Sequence, residues 1–262
     1  MPVLITGATG CVGRALVPTL INAGGQVRVY VRRDVPEYGA LGVKVAIGDA
    51  DHEGRLESAL EQVHTLIHLV GGPLLDRGVT VEWLNLETTE VALRAAENAE
   101  VRRVLFLSPL GADPTSDHPY LAAKGRAEEA LRAAKIEHAI FRCAPILGDG
   151  SVLAELLGRG VPAGIREARM NPIAVSDVAD ALVAADTRDS AVRGTWELGG
   201  SHVLTLDALA ADVSGKRGGL SRLWSSVPRE LATLYARDTI ADPDPALKQF
   251  DLALTPLTRS GQ

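Results

Sequence analysis

Apolar residues in the first 142 positions gather in short runs: VLI at 3–5, VRVYV at 27–31, VKVAI at 43–47, HTLIHLV at 64–70, RVLFLS at 103–108 and HAIFR at 138–142. Such β-rich runs predict strands, the first of them buried. Between them, the stretches around Val12–Ala23, Arg55–Gln62, Val81–Asn98 and Ser116–Ala134 have the length and residue types of helices. The last carries Pro119 in its first turn, with Ser116 or Asp117 as its cap. Strands separated by helices need crossover connections, and crossovers make a parallel sheet. The expected fold is α/β, a doubly wound parallel sheet.

After Arg142 the pattern changes. APILGDG reads as a loop, Ser151–Leu157 as a short helix, and MNPIAVSDVADALVAA as a strand followed by a helix capped by Ser176 or Asp177, so the sheet is expected to be re-entered. From Gly199 onward periodicity is weak, with prolines at 228, 243, 245 and 256 and apolar residues such as Leu223, Trp224, Leu231 and Tyr235. This predicts a sheet domain over 1–142, re-entered by 170–198, with 143–169 and 199–262 forming a smaller substrate lobe over the carboxyl edge of the sheet, where doubly wound proteins place ligands.

The 262 residues suit one large α/β domain or one domain with a small appended lobe, and the 46% of hydrophobic residues suffices for a substantial core. A net charge of −6 without a run of basic residues argues against a nucleic-acid or anionic-membrane footprint. No stretch approaches the ~18 apolar residues that span a bilayer. The start MPVLITG enters a strand directly, without a charged leader, and a cytoplasmic location is expected. Cys11 and Cys143 are the two cysteines, too few for a disulfide framework and not in a CxxC pair. His64 and His68 are four apart in an apolar strand with no cluster to complete a metal site, so no metal is expected.

Candidate chemistry starts at TGATGCVG. Gly7, Gly10 and Gly13 sit between the first strand and the first helix, where bare helix N–H groups and the positive end of the dipole form an anion site that glycines let a pyrophosphate approach. The spacing is GxxGxxG, not GxGxxG, and a tight turn serving packing alone has the same residues. Arg32 and Arg33 follow the second strand, where an arginine suits a ribose 2′-phosphate, although a shifted register would put Asp34 there instead. Asp49 follows the third. Ser108 ends a strand, and Tyr120 and Lys124 stand four apart on one helix face, where an ammonium is expected to lower the phenol's pKa toward neutrality for general acid–base work.

Jointly, TGATGCVG, VRVYVRR, GDADHEGRLESAL, NLETTEVALRAAENAEVRRVLFLSPLGA, YLAAKGRAEEAL, FRCAPILGDG, NPIAVSDVADAL and WELGGSHVLTLDALA resemble the short-chain dehydrogenase/reductase superfamily, in its atypical, NmrA-like branch, which includes an accessory subunit of respiratory complex I. The matches run in family order from Val3 to about Ala210. The resemblance implies a Rossmann domain binding NADP, with NAD possible. The turn with Gly7, Thr9, Gly10, Cys11, Val12 and Gly13 would hold the pyrophosphate, and Arg32 (or Arg33) the 2′-phosphate. Asp49 would meet the adenine, and Val70, Gly71 and Gly72 the adenosine side. Lys124 would hold the nicotinamide ribose, with Pro145 and Ile146 flanking the nicotinamide. Ser108 and Tyr120 would face the substrate oxygen. Asn85 matches a family asparagine and is equally well a structural hydrogen-bonder. The chain departs from the pattern in having Pro109 where a second serine is common and Cys143 where a proline is common.

Two functions follow as expectations. One is an NAD(P)H-dependent oxidoreductase transferring a hydride to or from a carbonyl, alcohol or quinone-like small molecule. The alternative is a non-catalytic NAD(P)-binding redox sensor or assembly protein. Epimerase or dehydratase chemistry is disfavoured by Arg32 and the short C-terminal region. A small-molecule partner is expected, with no nucleic acid and no membrane, and the chain as a monomer or homodimer.

Overall fold

A computed structural model describes residues 2–75, 78–159, 161–189, 193–214 and 229–257. The strands are β1 (Pro2–Thr6), β2 (Gln26–Val31), β3 (Lys44–Ile47), β4 (Thr65–His68), β5 (Arg103–Pro109), β6 (Glu137–Cys143), β7 (Ile146–Leu147), β8 (Arg169–Met170), β9 (Ile173–Ala174), β10 (Thr195–Leu198) and β11 (Leu204–Thr205). Seven of them form one sheet in the order β10-β6-β5-β4-β1-β2-β3, every pairing parallel, with Ile5 opposite both Val29 and Ile67. The expected doubly wound α/β fold is therefore present. Chain order reverses between β1 and β4, which opens a crevice at the carboxyl ends of those strands.

The helices are α1 (Cys11–Asn22), α2 (Pro36–Ala40), α3 (Glu53–Leu60), α4 (Thr88–Asn98), α5 (Pro119–Ala133), α6 (Val152–Arg159), α7 (Val175–Asp186), α8 (Leu206–Ser214), α9 (Arg229–Tyr235) and α10 (Asp244–Phe250). Alternate residues of each strand serve opposite faces of the sheet. Val3, Ile5, Leu105 and Phe141 pack with Leu16 of α1 and Leu182 of α7, whereas Leu4, Val104 and Phe106 pack with Leu60 of α3, Leu93 of α4 and Leu131 of α5. That two-sided burial explains runs such as VLI and VLF, which a half-exposed strand would break with polar residues. Arg103, only 1% exposed, donates from one guanidinium nitrogen to the carbonyls of Ala185 and Asp186 at 3.1 and 2.9 Å, tying β5 to the end of α7.

Several boundaries differ from the expected ones. The helix expected over 116–134 begins at Pro119, and His118 takes the cap position in place of Ser116 or Asp117. The one expected over 81–98 opens with a π-helical turn, Trp83–Glu87, before α4. In the strand-and-helix stretch, Ala174 caps α7, and neither Ser176 nor Asp177 does. The Asp177 carboxylate is instead engaged with the C-terminal segment, accepting from the Thr255 backbone N–H at 2.8 Å and its hydroxyl at 2.6 Å. Ile173–Ala174 pairs only with β7, and the stretch that rejoins the main sheet is β10, beside β6.

A third apolar cluster lies outside the sheet layers and joins Leu153, Leu156, Met170, Leu206, Leu209, Leu231 and Tyr235 from α6, β8, α8 and α9. Leu223 and Trp224, expected in the C-terminal lobe, lie outside the described residues. No helix among the described residues is long and apolar enough to cross a membrane.

The seat of α5 is set by Gly125, where an added β-carbon would collide with the backbone of Asp113 and Pro114. Neither neighbour is a flexible side-chain tip, so Gly125→Ala should force α5 away from the loop and destabilise the protein by on the order of 1–3 kcal/mol. Urea unfolding of the two proteins measures it.

Candidate active site

The turn after β1 has no side chains to spare. Gly7 has φ +71°, Gly10 accepts the cap position of α1 without a side-chain cap, and the first turn of α1 holds no acidic residue. The orphan N–H groups of that turn and the positive end of the helix dipole face outward unopposed. The glycines differ in what they spare. A β-carbon on Gly10 would meet only the Gly7 carbonyl oxygen, at 3.2 Å, whereas one on Gly13 would sit 2.5 Å from the Ala8 Cα and O. Gly13 therefore serves the packing of helix on loop, and Gly10 keeps open the space in front of the helix.

Across the crevice, β4 ends in a second glycine turn with φ +137° at Gly71 and +155° at Gly72. Asn85, fully buried in the π-helical turn, clamps it: Oδ1 accepts from Gly72 N at 2.8 Å, while Nδ2 donates to Gly72 O at 3.1 Å and to Val81 O at 3.0 Å. The structural hydrogen-bonding reading of Asn85 is thus realised, at a segment expected to touch cofactor. π-Helical turns concentrate at functional sites.

Lys124, 3% exposed, donates to the Leu107 carbonyl at 3.0 Å and lies 4.3 Å from the centre of the Phe106 ring. His68 stacks on the same ring. Burial pushes Lys124 down to about 7, with the Glu128 carboxylate opposing the shift. Glu128, fully buried, is gripped by Arg142 at 2.6 Å and Arg132 at 2.7 Å. Burial pushes the Tyr120 phenol above its ordinary value, and the neighbouring Tyr235 and Cys143 push it further. An ammonium lowering the phenol was expected of this pair. The structure gives the opposite direction, with desolvation as the largest cause and Lys124 not among the groups that shift the phenol.

Ser108, the next-to-last residue of β5, has its Oγ buried and without a hydrogen-bond partner among the described residues. It belongs to a cavity of about 460 Å³ that Gly7, Gly10, Cys11, Val12, Gly13, Gly71, Gly72, Tyr120, Lys124, Pro145 and Ile146 also line. Thr9, Arg32, Arg33, Asp49 and Val70 are not among its walls. Thr9 is exposed on the turn and its carbonyl accepts from Arg14 at 3.2 Å. Arg32 and Arg33 are exposed just past β2. Asp49 is exposed just past β3, its carbonyl accepting from the Tyr30 hydroxyl at 3.0 Å. Val70 is half-buried at the end of β4, its backbone N within 2.9 Å of where a Gly7 β-carbon would be.

Residues not singled out for the site in the sequence include Leu110, Leu121 and Val152 and, from the C-terminal lobe, Leu234, Tyr235, Arg237, Asp238, Thr239 and Ile240, all of which line the cavity. Three contacts strap this segment down. The Glu230 carbonyl is 2.8 Å from His118 Nε2, Arg237 pairs with Asp117 at 2.6 Å, and Asp238 pairs with Arg169 at 2.7 Å. Two straps grip the loop immediately before Tyr120.

A family model described as NAD(P)H-binding matches residues 7–188. The chain is 34% identical over 222 residues to the mitochondrial NADH dehydrogenase [ubiquinone] 1 alpha subcomplex subunit 9 of Arabidopsis thaliana, covering 79% of this chain and 55% of that one. It is 35% identical over 192 residues to the ceramide reductase of Caulobacter vibrioides, covering 70% and 60%. The chain thus spans little more than half the length of these curated relatives. A nucleoside-diphosphate-sugar epimerase from Staphylococcus aureus superposes with a TM-score of 0.79 over 98% of both chains at 16% identity, a likeness of fold.

The contrast between the two glycines is testable. Gly10→Val should stay folded and lose NAD(P)H, since its side chain would fill the open space before the helix, whereas Gly13→Val should lose the fold itself. Circular dichroism with fluorescence titration of NADPH separates the outcomes, and a folded Gly10→Val that keeps wild-type affinity would show that the turn holds no phosphate.

Proposed function

The chain belongs to the NAD(P)H-binding family, among the atypical short-chain dehydrogenases/reductases, and from that premise we propose that it is an NADPH-dependent oxidoreductase that reduces the carbonyl of an apolar small molecule. The observation that carries the proposal is the buried, unpartnered Ser108 Oγ in one cavity with Tyr120, Lys124 and the open glycine turn. The residues present fit the cofactor: Gly10 leaves a cradle that a β-carbon would fill, and the first turn of α1 offers N–H groups with no acid to compete.

Backbone groups of Gly10, Cys11 and Val12 would hold the pyrophosphate, with Gly7, Thr9 and Gly13 shaping the turn. Arg32, with Arg33 beside it, would take a 2′-phosphate, and Asp49 the adenine. Val70, Gly71 and Gly72 would line the adenosine side, Lys124 would hold the nicotinamide ribose, and Pro145 and Ile146 would flank the nicotinamide. When bound, the reduced cofactor supplies a hydride to the carbonyl carbon. Ser108 then holds the oxygen through its hydroxyl as negative charge grows there, and Tyr120 delivers its phenolic proton to the same oxygen. A phenol whose pKa is raised by burial is fully protonated at neutral pH, which suits donation. The apolar walls exclude water around that oxygen.

The second reading, cofactor binding without turnover, is favoured by Pro109 directly after Ser108 and by likeness to a respiratory-complex subunit. NADPH bound but not consumed across a panel of ketones, aldehydes and quinones would favour it.

Two substitutions test the assigned roles. Tyr120→Phe keeps the ring and removes the proton, so it should cut NADPH consumption by about 10²-fold while leaving NADPH affinity nearly unchanged. Full turnover in that variant would remove Tyr120 from the mechanism. Arg32→Ala should weaken NADPH by on the order of 1.5–3 kcal/mol and spare NADH, the difference being the charge-assisted bonds to the 2′-phosphate. Equal loss for both cofactors in titration calorimetry would contradict the NADP preference.

A further inference from the structure

The cavity holds more hydrogen-bonding hydroxyls than a single carbonyl can use. Besides Ser108 and Tyr120 it is lined by Tyr235, the last residue of α9. Tyr235 is 7% exposed, and its ring packs in the lobe's apolar cluster with Leu231. Among the described residues neither phenol oxygen makes a hydrogen bond, and the Ser108 Oγ is likewise without a partner. Burial keeps the Tyr235 phenol protonated, a neutral donor at any physiological pH. The charges on the same wall are already matched, Arg237 with Asp117 and Asp238 with Arg169.

A carbonyl oxygen has two lone pairs and accepts two good hydrogen bonds. In the oxidoreductase reading, on which this inference rests, Ser108 and Tyr120 occupy both. A third donor from a residue lining the same space would then lose its hydration on substrate binding with nothing in return, unless the substrate brings a second acceptor. Arg237 and Asp238 on that wall are already paired and Lys124 is assigned to the nicotinamide ribose, so the second acceptor is a neutral oxygen.

We propose that Tyr235, which shares the cavity with Ser108 and Tyr120, is a substrate-binding residue that donates a hydrogen bond to a second, uncharged oxygen of the substrate, an apolar carbonyl compound bearing that oxygen close to the reacting carbonyl. Tyr235 acts on binding and selection. Proton transfer stays with Tyr120.

The test reads binding without reaction. Protein saturated with NADP⁺ cannot reduce a ketone, so titration calorimetry with 2-decanone and 2,3-decanedione as matched probes measures affinity alone. The native protein should bind the dione about tenfold more tightly than the ketone, the ratio expected of one hydrogen bond to an otherwise unsatisfied donor. Tyr235→Phe, which retains the ring and its packing, should bring the two affinities within about twofold of each other. Both probes are measured on one preparation, so the ratio does not depend on the fraction folded. Equal affinities in the native protein, a preference that survives Tyr235→Phe, or a drop in NADP⁺ affinity in that variant would each overturn the assignment. NADPH consumption with both probes is followed in parallel. Its absence, with the dione preference present and lost in Tyr235→Phe, would count against the hydride-transfer reading and leave the Tyr235 contact standing.

Discussion

The carboxyl edge of the sheet depends on backbones that approach more closely than any side chain permits. At Gly7 a β-carbon would fall 2.8 Å from the carbonyl carbon of Leu69, so the loops after β1 and β4 touch backbone to backbone at the point where the strand order reverses. Gly13 repeats the condition between α1 and its own loop, and Gly125 repeats it between α5 and the Asp113–Pro114 turn. Together these contacts place the N-terminus of α1, the Gly71-Gly72 turn and the Tyr120 face of α5 around one space. None of the three tolerates a larger residue without moving an element that carries part of the site.

Beneath that space runs a polar column that the close approach encloses. The Thr6 hydroxyl lies 2.9 Å from His68 Nδ1, the Thr89 hydroxyl lies 3.3 Å from His68 Nε2, and Thr89 donates to the carbonyl of Asn85, which in turn holds Gly72. Burial, helped by the nearby Lys124, pushes His68 down to about 3, so the imidazole is neutral and bridges two hydroxyls without adding a second cation beside the lysine. A buried polar atom left unpartnered costs about 1–3 kcal/mol, so each member of the column holds its neighbour in place. His68, from a strand whose two histidines pointed to no metal site, thus carries a structural link from β1 through β4 to the glycine turn. The oxygen end of the cavity, at Ser108, is left open by contrast.

Parallel strands buried on both faces write themselves as apolar runs, and the glycine turn and the Tyr120–Lys124 spacing are local features, so the fold and the near side of the site were readable from the chain. What failed was non-local. The clamp by Asn85 needs the π-helical turn to bring it against Gly72, and nothing in NLETTE signals that turn. The electrostatics of Tyr120 and Lys124 follow from how deeply they are buried, which spacing cannot report. Ile173–Ala174 looked like a sheet strand because it is short and apolar, but β10, with its mixed TWEL sequence, is the one that lies against β6. Tyr235 and the segment to Ile240 were hardest to see. Their helix is seven residues long, and their place at the cavity is set by straps to Asp117, His118 and Arg169, more than 60 residues away in the chain.

Those straps bear on what the fold alone leaves open. A doubly wound sheet with a glycine turn at its carboxyl edge is a scaffold that serves many ligands, so the fold does not choose a substrate. The lobe adds walls of a different character beside the glycine turn. Arg237–Asp117 and Arg169–Asp238 are largely exposed pairs, screened by solvent, and would not by themselves keep an anion out. The walls they hold in place are the stronger barrier, because Leu110, Leu121, Val152, Leu234 and Ile240 would strip water from a phosphate and give no donor back. Apolar carbon against those walls gains about 25 cal/mol for each Å² removed from water, while hydroxyls at Ser108, Tyr120 and Tyr235 reward neutral oxygens at fixed points. In the proposed reading, the strands and glycines that would bind a dinucleotide are joined, through a short helix and two ion pairs, to walls that suit an uncharged, oxygenated apolar substrate.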